Sequence, residues 1–206
     1  MRVCRWLILA LVVALVGMSS MACAAVFVYE ATLDGPSESP PNASPGTGFA
    51  RVTYDDVTHM MTVEAMFQGL TGTTTAAHIH TPVPNPPANQ TAGVATQVPS
   101  FANFPLGVSS GIMPPTTFDL TQASSWNPSY ITANGGTPAG AETAFFAAMN
   151  NQPPHPILPS RAYFNIHSSA FGGGEIRGFF DLVPEPASLG MGGAALLGLA
   201  GLRRRR

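Results

Sequence analysis

Apolar and polar residues alternate in short segments through the first half of the chain, and turn-forming residues separate these segments. The pattern is typical of β-strands, whose successive side chains point to opposite faces of a sheet. Because tight turns follow the segments, successive hairpins and an antiparallel sheet are predicted. Strands are predicted at 26–31, 48–54, 60–67 and 76–80, and strand character returns at 161–167 and 174–180.

The middle of the chain, residues 81–159, has no such regular alternation. Prolines and glycines crowd residues 82–87 and 105–115, which are predicted to be loops over the surface of the sheet. Residues 138–151 are rich in alanine and have a single β-branched residue, Thr143, so they predict a helix of about three turns. The expected fold is therefore all-β and antiparallel, with one short helix and long loops rich in proline and glycine.

The N-terminus has the three parts of a secretory signal peptide, predicted at residues 1–24. Two arginines among the first five residues precede an unbroken apolar stretch at 6–16, and a small-x-small site ends at Ala24. Cleavage is expected after Ala24. Acylation of Cys23, as in a lipoprotein, is the less favoured alternative because Ser20 is a poor residue three positions before the cysteine.

The C-terminus, residues 184–206, is predicted to be a second targeting segment. The apolar stretch 187–202 would span about 24 Å as a helix, against a bilayer core of about 30 Å. The arginines after it cannot cross that core and hold their end on the cytoplasmic side, so the domain before it is exported. The segment consists of the spacer Pro184, Glu185 and Pro186, the apolar stretch, and the membrane stop Arg203, Arg204, Arg205 and Arg206.

This arrangement resembles the PEP-CTERM sorting signal of Gram-negative bacteria that make extracellular polysaccharide. The resemblance implies a membrane-embedded transpeptidase, an exosortase, that cuts near Pro-Glu-Pro. It implies residence on the periplasmic side of the inner membrane during processing, with the C-terminal helix in the membrane, and then at the outer surface or outside the cell. A tail anchor that is never processed is the alternative.

The composition between the two signals limits the partners of the domain. Residues 25–183 suffice for one domain, contain no lysine and no cysteine, and set three arginines against ten acidic residues, a formal charge of −7. Such a surface argues against nucleic acid or an anionic membrane as a partner and suits divalent cations or simple solubility. Without a disulfide, the domain must be held by a packed core.

Histidines provide the candidate chemistry. His78 and His80 are two residues apart on a predicted strand and therefore project from the same face. They could ligate Zn²⁺ or Cu²⁺, with His167 from another strand as a third ligand. A carboxylate, Glu175 or Asp181, could complete or orient the set. The alternative is that these histidines are structural and hydrogen-bond loop backbone.

The expectations for two further histidines and one arginine are simpler. His59, beside a predicted turn, and His155, within a proline loop, are expected to be solvated. Arg177 shares a strand face with Glu175, and a structural ion pair is preferred for it over a contact with an anion or carbohydrate.

Three short motifs stand out in the chain: Ala-His-Ile-His at 77–80, Tyr-Phe-Asn-Ile-His at 163–167 and Gly-Gly-Glu-Ile-Arg-Gly at 173–178. A fourth, Ala-Thr-Leu-Asp-Gly at 31–35, lies at the end of the first predicted strand. Together they resemble the CHRD domain, first described in chordin and widespread in bacterial exported proteins. The resemblance implies an all-β sandwich or barrel of immunoglobulin-like character.

Three classes of function follow from these features. The preferred one is a surface or matrix component, associated with exopolysaccharide or biofilm, that binds exported polysaccharide or surface proteins and is not an enzyme, since the chain shows no catalytic motif. The second is a metal-binding protein or metalloenzyme that uses His78, His80 and His167. The third, by analogy with chordin, is a protein-binding inhibitor or sequestering module.

Overall fold

The computed structural model describes residues 25–81, 91–150 and 162–184. The predicted signal peptide with Ala24, His155, most of the sorting segment and its four arginines lie outside the described residues. Within the described ranges, no helix has the length and apolar character needed to cross a membrane.

Seven strands form one antiparallel sheet that curls into a half-barrel, and a short eighth strand pairs with the first. Their order across the sheet is β4-β6-β7-β1-β2-β3-β5, with β8 beside β1. The predicted all-β antiparallel class is therefore confirmed. The strands are β1 Val26–Asp34, β2 Thr47–Asp55, β3 Met60–Gln68, β4 Thr74–His80, β5 Gly111–Asp119, β6 Tyr163–Ser168, β7 Ile176–Phe179 and β8 Asp181–Val183.

A helical segment closes the core face of the sheet. It contains a 3₁₀ turn, Ala123–Ser125, and two α-helices, α1 Pro128–Ala133 and α2 Pro138–Met149. Helix α2 is the predicted one, and it begins where Pro138 fixes a helical φ and the Thr137 hydroxyl accepts a hydrogen bond from Gly140 N at 3.1 Å. Its position in the chain was therefore set by local capping.

Aromatic side chains join α2 to the sheet. The Phe146 ring stacks on Tyr54 of β2 with centroids 3.5 Å apart and lies 6.3 Å from Tyr29 of β1. Phe145 meets Trp126 edge to face at 5.4 Å. All five belong to one hydrophobic core with the inward residues of β1, β2 and β3, so burial of this core replaces the missing disulfide as the source of stability.

The loop predicted at 105–115 is wrong for its last residues, which begin β5. Pro114 and Pro115 suggested a loop because proline cannot donate a ladder hydrogen bond. Strand β5 tolerates them because it lies at the edge of the sheet, and because its pairing with β3 shifts register between Val63 and Ala65, where the prolines fall.

A polar contact fixes α2 to the β2–β3 turn. His59 adopts a left-handed backbone, φ 58°, and its Nδ1 lies 2.9 Å from Glu142 Oε1 on α2, which also accepts from the Tyr54 hydroxyl at 2.7 Å. The Glu142 carboxylate is buried, whereas the His59 side chain is about half exposed. His59 is exposed, as expected, and the helix also supplies a partner whose hydrogen bond raises the pKa of its imidazole.

This contact predicts a pH-dependent contribution of His59 to stability. Because folding raises the pKa of His59, the pairing stabilises the fold fully below the unfolded pKa of about 6.5 and is lost as pH rises through the folded value. In thermal unfolding, wild type should have a higher Tm than His59→Ala near pH 6, and the two Tm values should converge at about pH 9. In a Glu142→Gln background the difference should no longer depend on pH, and equal differences at both pH values would contradict this assignment.

Candidate metal centre

Strands β4 and β6 are buried on both faces. Their core-facing residues, Ile79 and Phe164 among them, belong to the hydrophobic core. The residues that alternate with these point to the opposite face, and this second face carries His78, His80 and His167. The first two histidines are buried and the third is half-buried, so loops must cover them.

The register of β4 and β6 brings the three histidines together. The strands pair antiparallel with Ala76 opposite His167, which places His167 diagonally beside His78. Ring centroids are 5.8 Å apart for His78 and His80, 5.3 Å for His78 and His167, and 5.7 Å for His80 and His167. The three imidazoles therefore form a nearly equilateral cluster, and their role as metal ligands stays a prediction.

Each imidazole donates one ring N–H to a backbone carbonyl of a covering loop. His78 Nε2 donates to the Pro99 carbonyl at 2.7 Å, and His80 Nδ1 donates to that of Ala92 at 2.9 Å. His167 Nδ1 donates to that of Gly172 at 3.0 Å. Because a carbonyl oxygen only accepts, these bonds fix which nitrogen of each neutral ring carries the proton.

The other nitrogen of each ring faces its two counterparts. His78 Nδ1, His80 Nε2 and His167 Nε2 are buried and have no hydrogen-bond partner among the described residues. The three histidines each bring one ring nitrogen within 4.8 Å of the other two. Leaving three buried acceptors unpaired is costly. An ion bonded to all three at about 2.0 Å would satisfy them after a small inward movement of the rings.

The imidazoles are held in the form that ligates metals. Burial lowers the pKa of His78 and of His80 to about 4, although the hydrogen bonds to the Pro99 and Ala92 carbonyls act in the opposite direction. Burial also lowers the pKa of His167. At neutral pH all three are uncharged, with a lone pair on the inward nitrogen.

A buried cation lies close to the cluster. The Tyr163 ring stacks on His80, with centroids 4.9 Å apart and planes 6° from parallel, and the Arg177 guanidinium lies 4.9 Å from the centre of the same tyrosine ring. Arg177 Nε donates to the Ser37 carbonyl and lies 3.9 Å from the Glu38 carboxylate. Burial raises the pKa of Glu38 to about 7, although the positive charge of Arg177 lowers it.

Glu175, the predicted fourth ligand, lies apart from this cluster. It is fully buried, and its carboxylate accepts from the Ser44 hydroxyl at 2.6 Å, from Gly72 N at 3.1 Å, and from Thr71 N and the Ser168 hydroxyl. Burial acts to raise the pKa of Glu175, but these bonds hold it below its usual value. Glu175 therefore anchors loops around the end of β6.

The remaining predicted site residues have other surroundings. Asp181 is exposed on β8, outside the histidine cluster. Arg177 does form a buried ion pair, but with Glu38 of the loop after β1. Tyr163 was not predicted as a site residue, although its two-residue spacing from Asn165 and then His167 placed it on the same strand face. The three carbonyl acceptors carry no signal in the sequence.

Comparison with known families agrees with both resemblances. Residues 29–180 match the CHRD domain, and residues 182–206 match the PEP-CTERM protein-sorting motif. No curated protein and no solved structure matches the chain.

The histidine cluster predicts an acid sensitivity of the metal-free protein. Folding lowers the pKa of His78 and His80 from 6.5 to about 4, so between these values the unfolded chain binds more protons. The free energy of unfolding, from denaturant titrations with chelator, should therefore fall as pH drops through this window. A His78→Gln, His80→Gln variant should lose less stability over the same range, and an equal loss would contradict the assignment.

Proposed function

This chain belongs to the CHRD domain family, and on that premise we propose that it is an exported surface protein whose β domain binds a transition-metal ion. Its PEP-CTERM motif implies export, sorting by an exosortase, and a final place at the cell surface or outside the cell. CHRD is itself an extracellular type of domain. The proposal therefore concerns what the domain does after delivery.

The observation that carries the proposal is the convergence of three neutral, buried imidazole nitrogens that have no partner among the described residues. A structural role explains only half of each ring, because one nitrogen is used by a loop carbonyl and the other is left unpaired. A metal ion explains both halves. The carbonyl bonds then serve as the outer-shell contacts that orient metal-bound histidines.

The ligand type narrows the choice of ion. Imidazole nitrogen suits Zn²⁺ and copper, whereas Mg²⁺ and Ca²⁺ prefer oxygen ligands. The acidic character of the domain adds a general attraction for cations. We therefore propose zinc or copper as the class of ion, with His78, His80 and His167 as the ligands.

The proposed setting is the exported polysaccharide matrix of the cell surface. The sorting motif supports this setting, since PEP-CTERM signals belong to bacteria that make extracellular polysaccharide. Cleavage is proposed near Pro184, Glu185 and Pro186, on the periplasmic side of the inner membrane. In this setting the domain would hold metal within the matrix, and polysaccharide or surface proteins would be its neighbours.

Metal analysis of the exported protein tests the proposal. After dialysis against Zn²⁺ or Cu²⁺, wild type should retain one ion per chain and His78→Ala, His80→Ala should retain none, because two of three ligands are lost. At about 100 times the dissociation constant, binding should stabilise the fold by about 2.7 kcal/mol. His59→Ala is the matched control and should retain the ion. Retention of the ion by the double variant would refute the site.

Processing of the tail gives an independent prediction. Intact mass spectrometry of the surface fraction should show a chain that has lost the residues after the Pro-Glu-Pro spacer, including Arg203 to Arg206. A mature protein that still carries these arginines would indicate an unprocessed tail anchor instead.

A further inference from the structure

We infer that the preferred occupant of the histidine cluster is copper in its monovalent state, held by His78, His80 and His167 alone. The inference rests on the proposed metal-binding function and adds the identity and charge of the ion. It makes the protein a copper(I) carrier of the cell surface, as distinct from a zinc protein or a copper enzyme.

The number of ligands is the first argument. Among the histidines, cysteines and carboxylates of the described residues, only these three histidines bring ligand atoms together at this point. Glu175 is taken up by its four donors, and Asp181 is exposed on β8. Zn²⁺ in proteins is almost always four-coordinate, and Cu²⁺ prefers tetragonal sets of nitrogen and oxygen. Cu⁺ has a filled d shell and is satisfied by a trigonal set of three.

Charge is the second argument. Three neutral imidazoles leave the whole charge of the ion uncompensated within a buried site. The cost of burying an ion grows as the square of its charge, so a divalent ion costs about four times as much as a monovalent one. Arg177 adds a positive charge on the same face, 4.9 Å from the centre of the Tyr163 ring that stacks on His80, and the nearby Glu38 is its counterion.

Exclusion of solvent is the third argument. The three inward nitrogens are inaccessible, and each ring is held from behind by a loop carbonyl. A divalent ion would need a water or an anion as its fourth ligand, and such a ligand would have to displace a covering loop. A three-coordinate ion fits without this change.

Imidazole ligands suit the oxidising compartment outside the cytoplasm. Thiolates, the usual soft ligands for copper, oxidise readily outside the cytoplasm. The domain between residues 25 and 183 has no cysteine. Imidazole ligands in a closed site can hold Cu⁺ in that environment without being consumed by oxidation.

Anaerobic competition with a coloured copper(I) chelator tests the inference. The exported protein is titrated into the copper(I) complex of bathocuproine disulfonate, with ascorbate present, and loss of the complex is read by absorbance. We expect transfer of one Cu⁺ per chain, unaffected by excess Zn²⁺. His80→Ala should weaken transfer by more than about a hundredfold, since even outer-shell changes at metal sites cost about 10- to 100-fold. His59→Ala should transfer like wild type.

The outcomes separate this inference from the function on which it rests. If the cluster binds Zn²⁺ or Cu²⁺ but takes no Cu⁺ from the chelator, the copper(I) inference is wrong and metal binding stands. If the protein binds none of these ions, both are wrong. The wild-type titration decides between these results even if His80→Ala does not fold, and circular dichroism identifies that case.

Discussion

The pairing register of β4 and β6 is the constraint on which the candidate site depends. Strand periodicity alone puts His78 and His80 on one face, but only the alignment of Ala76 with His167 brings the third imidazole against them. The same register seats Ile79 and Phe164 in the core. A slip by one residue would turn the histidines into the core and the core residues outward, so folding of the half-barrel and assembly of the cluster are one event.

Covering the second face of these strands has a cost that the surrounding polar groups offset. Loops that bury imidazoles must also bury their own backbone, and the ring N–H groups pair with three of those carbonyls. Glu175 gathers four donors from the neighbouring loops, and Arg177 binds Ser37 beside Glu38. What sets the three inward nitrogens apart from the other unpaired buried atoms is that they belong to one cluster, which a single ion would complete.

Local signals made much of the fold predictable from sequence. Alternation and turn residues located the strands of the first half, and the alanine-rich segment 138–151 located α2. Strand β5 was missed because its prolines are acceptable only at a sheet edge with a register shift, which is a property of its pairing with β3. The pairing of His59 with Glu142 was missed for a similar reason, since 83 residues separate the two.

The candidate site was predictable from sequence to a similar extent as the fold. Strand periodicity predicted that His78 and His80 share a face, and the same polar-apolar alternation made His167 a candidate third ligand. The role of Glu175 and the carbonyl partners depend on loops that converge only in the folded chain. X-ray absorption at the metal edge of the loaded protein tests the central claim most directly. The account predicts three imidazole nitrogens at about 2.0 Å. A shell dominated by carboxylate oxygen, or one with fewer than three imidazoles, would contradict it.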